Sequence, residues 1–173
     1  MLSLARALVV SPKVVIAELG FLETLPARQR AAGLAEVVKC GFIADPAILD
    51  LCERSRPDLP PELVRELVSR AVRVKAEVVA EDETESGLRA ILNFGHTVGH
   101  ALEAISHYGK FLHGEAIAIG QVTAAQLSAQ TLGLPQSQVE RITQLLQRAG
   151  LPIRTSLSAP QRRKLLDAMR LDK

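Results

Sequence analysis

The sequence predicts a mainly α-helical domain, and three observations support this prediction. Aromatic residues make up 3% of the 173 residues and Trp is absent. A core of Leu, Ile, Val and Ala favours helix-on-helix packing over a β-sandwich. Apolar residues recur at helical spacing through long segments. Pro and Gly separate these segments, as expected where helices end.

The first 19 residues are the part of the chain that predicts a strand. Val14, Val15 and Ile16 form a short β-branched run after Pro12, which is typical of strands. A lone strand needs neighbours to satisfy its backbone groups, and no later segment reads clearly as a second strand. We therefore interpret residues 1–19 as a strand and linker from a sheet outside this chain, and residues 20–173 as the helical domain.

The first predicted helix covers residues 27–41, with Thr24 as its N-cap, Pro26 in its first turn and Gly41 at its end. The segment 81–87 is acidic and is expected to be exposed, and 109–114 reads as a loop. The other helices are predicted from Asp45-Pro46 onward, from Glu62 for about five turns, and over 88–106, 116–132, 136–149 and 160–171.

Composition excludes several classes of protein. Hydrophobic residues make up 47% and charged residues 23%, as in soluble folded proteins and unlike disordered ones. No apolar run approaches the roughly 18 residues that cross a bilayer, and a net charge of +2 does not indicate a nucleic-acid binder. The two cysteines lie in no CxxC pair, which favours a reducing, cytoplasmic location.

Histidines form the most informative cluster. His96 and His100 are four residues apart and share one helical face, and His113 follows in a Gly-flanked segment. Imidazole is a common ligand of zinc-like metals, and a carboxylate could complete a three-ligand site with an open position. Such a pair can equally be ordinary surface or core polarity, and this one is not the HExxH pattern of metalloproteases.

Charged residues form two further groups. Glu36 and Lys39 are three apart on a helix among small apolar residues; an ordinary helical ion pair is the simpler interpretation, but burial would need a reason. Lys75, Glu85, Arg89 and Asn93 lead into His96. Cations near a metal suit a phosphate or carboxylate ligand, although each charge alone could belong to a solvated face.

Three runs of sequence resemble the 3-dehydroquinate synthase family. They are FLETLPARQRAAGLAEVVKCGFIADP, VKAEVVAEDETESGLRAILNFGHTVGHALE and LHGEAIAIG, and the resemblance covers about residues 12–173. It concerns the helical C-terminal half of the family. It therefore implies a dehydroquinate synthase-like helical domain, with residues 1–19 remaining from an α/β domain that holds most of the NAD site. Residues 1–11 do not match the family.

The resemblance also implies roles for individual residues. The family's metal ligands fall on Glu36, His96 and His113, and the metal implied is Zn²⁺ or Co²⁺. Substrate-contacting positions fall on Lys39, Lys75, Arg89, Asn93 and His100, with Glu85 at the edge of the site. The segment that touches NAD falls on Phe21, Leu22, Glu23 and Thr24. A further substrate Lys belongs to a motif that begins at Asp172-Lys173.

The implied reaction is the second step of the shikimate pathway, toward chorismate and the aromatic amino acids. 3-Deoxy-D-arabino-heptulosonate 7-phosphate is converted to 3-dehydroquinate and phosphate by a carbon–oxygen lyase that uses NAD catalytically. The resemblance implies a homodimer for the full-length enzyme, and we expect the chain alone to be inactive because hydride transfer needs a bound nicotinamide. The alternatives are a related sugar-phosphate cyclase of the 2-deoxy-scyllo-inosose or valiolone type, a polyol dehydrogenase, and a non-catalytic helical module.

Overall fold

A computed structural model describes residues 18–54, 59–84, 87–106 and 109–171. The described residues are helical and contain no strand. Two 3₁₀ helices cover Leu19–Thr24 and Leu88–Asn93. The α-helices are α1 (Ala27–Ile43), α2 (Pro46–Arg54), α3 (Pro61–Glu81), α4 (His96–Ile105), α5 (His113–Thr131), α6 (Gln136–Arg148) and α7 (Ala159–Leu171). The mainly α prediction is confirmed, whereas the predicted strand lies outside the described residues.

Helix α5 is the centre of the fold. Every residue from Gly114 to Val122 is buried, a pattern found where a helix is covered on all sides. It packs against α1, α4 and α6, and its small residues let these neighbours approach closely. A Cβ on Gly114 would lie 1.9 Å from the carbonyl oxygen of Ala32 in α1, and one on Gly120 would lie 2.0 Å from that of Gly95.

Three apolar clusters hold the helices together. The largest joins α1, α5 and α6 through residues such as Val38, Val122 and Leu146. A second joins α1 to α2 and α3 around Cys40 and Leu67. The third links α4, α5 and α7. All three involve α1 or α5, so the core fixes the positions of these two helices.

The prediction of one helix over 88–106 is wrong. A 3₁₀ helix ends at Asn93, and α4 begins at His96 after Gly95, whose φ is +82°. Only glycine adopts this left-handed conformation without strain. A side chain on Gly95 would also collide with Gln121 of α5. The break therefore lies where α5 approaches the backbone closely, and α4 begins directly after it.

Other local predictions also need correction. Thr24 is not an N-cap: its hydroxyl donates to the carbonyl of Phe21, and Pro26 holds the cap position. Helix α1 passes Gly41 and ends at Ile43, and the glycine at position 41 serves close packing against Leu49 and does not end the helix. Segment 81–87 is not wholly exposed, since the carboxylate of buried Asp82 accepts the N–H groups of Gly87 and Arg89.

The observed starts of two helices also differ from the predicted ones. Helix α5 begins at His113, within the predicted loop, where the carboxylate of Glu115 accepts the N–H of Leu112 at 2.8 Å. Helix α3 begins at Pro61, because proline suits the first turn, where its missing N–H has no intrahelical partner. Among the described residues, no helix is both long enough and apolar enough to span a bilayer.

Candidate metal centre

Three donors from three helices meet at one point. Glu36 lies in the middle of α1, and His96 and His113 are the first residues of α4 and α5. One ligand atom from each lies within 4.8 Å of the other two. A carboxylate with two imidazoles is a donor set that zinc-like ions accept, leaving a further position open. The donor set therefore fits a divalent metal.

The two oxygens of Glu36 have different surroundings. Oε2 accepts Lys39 Nζ at 3.0 Å and Lys75 Nζ at 2.9 Å. Oε1 is buried, has no hydrogen-bond partner among the described residues, and lies 3.6 Å from His96 Nε2. Burial alone would raise the pKa of Glu36, but the charges of Lys39 and Lys75 outweigh it and lower this pKa to about 2. The carboxylate stays ionised, with one oxygen directed at His96.

His96 is held as a neutral ring. Burial and the charge of Lys39 lower its pKa to about 4, although Glu36 partly opposes this. Nδ1 lies 3.4 Å from the carbonyl oxygen of Phe94, so we assign the proton to Nδ1 and the lone pair to Nε2. A neutral imidazole with a free Nε2 is the form that binds metals.

His113 and His100 complete a group of three imidazoles. The ring centroids of His96 and His113 are 5.6 Å apart, and His100 lies 5.2 Å from His96 and 6.0 Å from His113. The structure thus brings together all three histidines that the sequence analysis selected. Glu36, His96 and His113 form one possible ligand group, and His100, Glu103 and His113 form another.

An ion pair fixes the start of α5 against α1. The Arg28 guanidinium donates to both oxygens of Glu115, at 2.6 Å and 2.7 Å, and also to the Lys110 carbonyl. The hydrogen bond from Arg28 holds the pKa of Glu115 below its usual range. Since Glu115 is two residues beyond His113, this contact helps to set the position of that ring relative to Glu36.

The predicted substrate residues lie at different depths. Lys39 is 2% exposed, and burial lowers its pKa against the opposing effect of Glu36; the Lys75 side chain is 20% exposed. The 3₁₀ helix bearing Arg89 and Asn93 packs against α1 and α3. The Arg89 guanidinium donates to the Glu83 carbonyl at 3.2 Å, and Asn93 is exposed. Glu85 and Asp172-Lys173 lie outside the described residues.

The predicted NAD-contacting segment forms the first 3₁₀ helix. Glu18 caps it by accepting the N–H of Gly20, and Phe21 is 72% exposed. Leu22 is half-buried, whereas Glu23 and Thr24 are exposed.

Sequence reasoning gave no role to Glu103. Its carboxylate lies 3.2 Å from Nδ1 of His113. A signal was available, because His96, His100 and Glu103 follow the i, i+4, i+7 spacing of a single helical face.

Solved structures with the same fold include sugar-phosphate cyclases. A 2-epi-5-epi-valiolone synthase from Streptomyces hygroscopicus subsp. jinggangensis 5008, solved with NAD⁺ and Zn²⁺ bound, superposes with a TM-score of 0.76 at 28% identity, over 88% of this chain and 44% of that one. A 2-deoxy-scyllo-inosose synthase superposes with a TM-score of 0.68 at 25% identity, over 84% and 40%. The fold therefore belongs to the helical domain of dehydroquinate synthase-like proteins.

Sequence comparison defines the family within that class. Residues 33–173 match the family described as 3-dehydroquinate synthase C-terminal, and the chain belongs to this family. Curated 3-dehydroquinate synthases from Paenarthrobacter aurescens (strain TC1) and Pseudarthrobacter chlorophenolicus are 47% and 46% identical over 94% of this chain. The chain spans 45% of the length of these relatives.

Proposed function

We propose that this chain is the metal- and substrate-binding half of a 3-dehydroquinate synthase, which converts 3-deoxy-D-arabino-heptulosonate 7-phosphate to 3-dehydroquinate and phosphate. The observation that carries the proposal is that the two carboxylate oxygens of Glu36 have different contacts. Two lysines hold one oxygen, while the other is buried without a hydrogen bond in the described structure and faces His96. An ionised oxygen in that setting calls for a cation.

Glu36, His96 and His113 would hold Zn²⁺ or Co²⁺ in this proposal. The metal would polarise a substrate hydroxyl, and NAD, contacted from this side by Phe21, Leu22, Glu23 and Thr24, would accept and return a hydride. A valiolone synthase with this fold was solved with Zn²⁺ and NAD⁺ bound, which supports the choice of these two cofactors.

Lys39, Lys75, Arg89 and Asn93 would bind the anionic substrate. The lysine pair carries two positive charges against the single negative charge of Glu36. A bound divalent metal would increase this excess of positive charge. Such an excess suits a ligand that carries both a phosphate and a carboxylate. Asn93 lies four residues after Arg89, and both belong to the 3₁₀ helix that precedes His96. Glu85 would lie at the edge of the site.

His100 would exchange protons with the substrate. Its ring is exposed and lies beside His96 and His113, so it would lie close to a substrate hydroxyl at the proposed metal site. General acid–base catalysis requires such a group within hydrogen-bond reach of the reacting oxygen. This gives His100 a role separate from metal binding.

The proposal also covers the cellular location, the pathway and the oligomeric state of the whole enzyme. We place it in the cytoplasm, in the shikimate pathway, as a homodimer. Support for a reducing compartment comes from Cys40 and Cys52, neither of which forms a disulfide in the described structure. Residues 1–19 would belong to the α/β NAD-binding domain and residues 20–173 to the helical domain.

Related sugar-phosphate cyclases are the second candidate. The valiolone synthase and the inosose synthase share the fold, but at 28% and 25% identity against 47% for the dehydroquinate synthase. Sequence similarity therefore favours dehydroquinate synthesis. A helical module without activity would retain the fold but have no need of an ionised carboxylate facing an imidazole.

A hybrid enzyme tests the proposed function. This chain would replace the matching 45% of the Paenarthrobacter aurescens synthase, with a His96→Ala hybrid as control. We expect the hybrid to release phosphate and form 3-dehydroquinate from the heptulosonate phosphate, and the control to lose activity. A folded, zinc-loaded hybrid that acts only on a substrate of the two other cyclases would refute the assignment.

A further inference from the structure

We propose that Glu103 is a positioning residue that holds the His113 ring in the orientation and tautomer required for metal binding. The inference rests on the proposed metal site and extends it to a residue outside the three ligands. It begins from one contact, Glu103 Oε2 to His113 Nδ1 at 3.2 Å.

The position of Glu103 on α4 makes this contact possible. It lies seven residues after His96 and three after His100, and therefore on the same face of the helix. Its side chain is 13% exposed although it carries a carboxylate. A carboxylate at that depth needs a hydrogen-bonded partner, and His113 Nδ1 provides one.

His96 shows the same arrangement with a different acceptor. Its Nδ1 lies near the Phe94 carbonyl oxygen at 3.4 Å, and its Nε2 lies 3.6 Å from Glu36 Oε1. In both histidines an oxygen acceptor therefore occupies Nδ1 and leaves Nε2 for the metal. Metal-bound histidines usually donate their second ring N–H to a carboxylate or a carbonyl, which fixes both tautomer and orientation.

His113 needs this contact more than His96 does. The side chain of His113 is 49% exposed, whereas that of His96 is 13% exposed. Packing therefore restrains the His113 ring less, and the carboxylate of Glu103 supplies the missing restraint. A ligand that is already oriented loses less conformational freedom when it binds.

Glu103 also belongs to a second possible ligand group, with His100 and His113. Both groups need His113, and a nitrogen that donates its proton to a carboxylate cannot bind a metal at the same time. The group with Glu36 contains the buried oxygen that has no partner in the described structure, whereas both histidines of the other group are exposed. We therefore assign metal binding to Glu36, His96 and His113, and orientation to Glu103.

Zn²⁺ affinity of the metal-free, full 173-residue chain tests the inference, measured by competition with a chelator. We expect Glu103→Ala to weaken binding by about 10- to 100-fold, and Glu103→Gln, which keeps an acceptor oxygen without its charge, to fall between Ala and wild type. Glu140→Ala removes an exposed carboxylate from α6 and should leave affinity unchanged. His96→Ala should abolish binding.

Two further measurements separate positioning from a general structural effect. The metal-free Glu103→Ala chain should unfold at the same urea concentration as wild type, and the Co²⁺ absorption spectrum of the loaded variant should differ. Equal Zn²⁺ affinities of Glu103→Ala and wild type, with His96→Ala still unable to bind, would overturn the inference and leave the proposed site intact. Retained binding in His96→Ala would instead overturn the proposed site.

Direct ligation by Glu103 is also distinguishable. In that case His100→Ala would weaken Zn²⁺ binding as strongly as Glu103→Ala does, whereas our assignment predicts little effect of His100→Ala on affinity.

Discussion

Gly120 sets the distance between the helices that carry His96 and His113, and replacing it by Ala tests the architecture of the site. A Cβ at this position would lie 2.0 Å from the Gly95 carbonyl oxygen, 2.9 Å from its carbon and 3.1 Å from the Gly99 nitrogen. All three are backbone atoms, which cannot rotate away as a side chain would. Ordinary contact begins near 3.4 Å, so α4 and α5 would have to separate by about an ångström.

The sign of the effect follows from two opposing terms. Ala is favoured over Gly inside a helix by about 1 kcal/mol. Overpacking a tight interface costs about 1–3 kcal/mol, and more where the backbone must move. We expect Gly120→Ala to lower the free energy of unfolding by about 2 kcal/mol. Because His96 shifts relative to His113, we also expect at least about a tenfold loss of Zn²⁺ affinity.

Gly33→Ala is the matched control. Gly33 also lies inside a helix, α1, but a Cβ there would meet nothing within 4 Å. Only the helix-propensity term applies, so this variant should gain up to about 1 kcal/mol. Urea unfolding of both metal-free variants gives the stabilities, and chelator competition gives the affinities. A Gly120→Ala chain as stable as Gly33→Ala, with unchanged affinity, would refute the reasoning.

Three further predictions concern the charges and thiols. Glu36→Gln should reduce Zn²⁺ affinity by at least about 100-fold in calorimetry, because a neutral amide replaces the ionised ligand; unchanged affinity would exclude Glu36 as a ligand. Arg28→Ala should lower the thermal midpoint, because Glu115 loses its bidentate partner, whereas Arg162→Ala on an exposed turn of α7 should not. Burial raises the pKa of Cys52 to about 11, and its ordinary value is 9.0. Alkylation of the native Cys52 thiol at pH 8 should therefore be slow, and should accelerate about tenfold per pH unit below that pKa, since only the thiolate reacts. Rapid alkylation of Cys52 at pH 8, as fast as in the urea-unfolded chain, would contradict the raised pKa of this thiol.

Sequence patterns predicted the helices well where the positions of Pro and Gly agree with the helical spacing of apolar residues. Pro61 marks the start of α3, and Gly133, Pro135 and Gly150 bracket α6 close to its observed bounds. The break at Gly95 was missed because the apolar pattern runs through it. Its left-handed backbone is matched to a contact with α5, twenty-five residues further along the chain, and helical period carries no such information.

The candidate site shows the same division. Spacing indicated a histidine cluster, but it left open which histidines bind and which carboxylate joins them. That choice depends on α1, whose Glu36 lies sixty residues before His96. Asp82 was expected to be exposed because its charge is visible in the sequence. Its partners are the backbone N–H groups of Gly87 and Arg89, and contacts to backbone groups leave no trace in residue types.

The placement of the three donors on separate helices has a consequence for how long the protein survives. A cation bound by α1, α4 and α5 would act as a reversible cross-link closing a long loop of the chain. It would stabilise the folded state according to its free concentration, by about 2.7 kcal/mol at a hundred times its Kd. The unfolded fraction, and with it the exposure to proteases, would then follow the supply of metal in the cell.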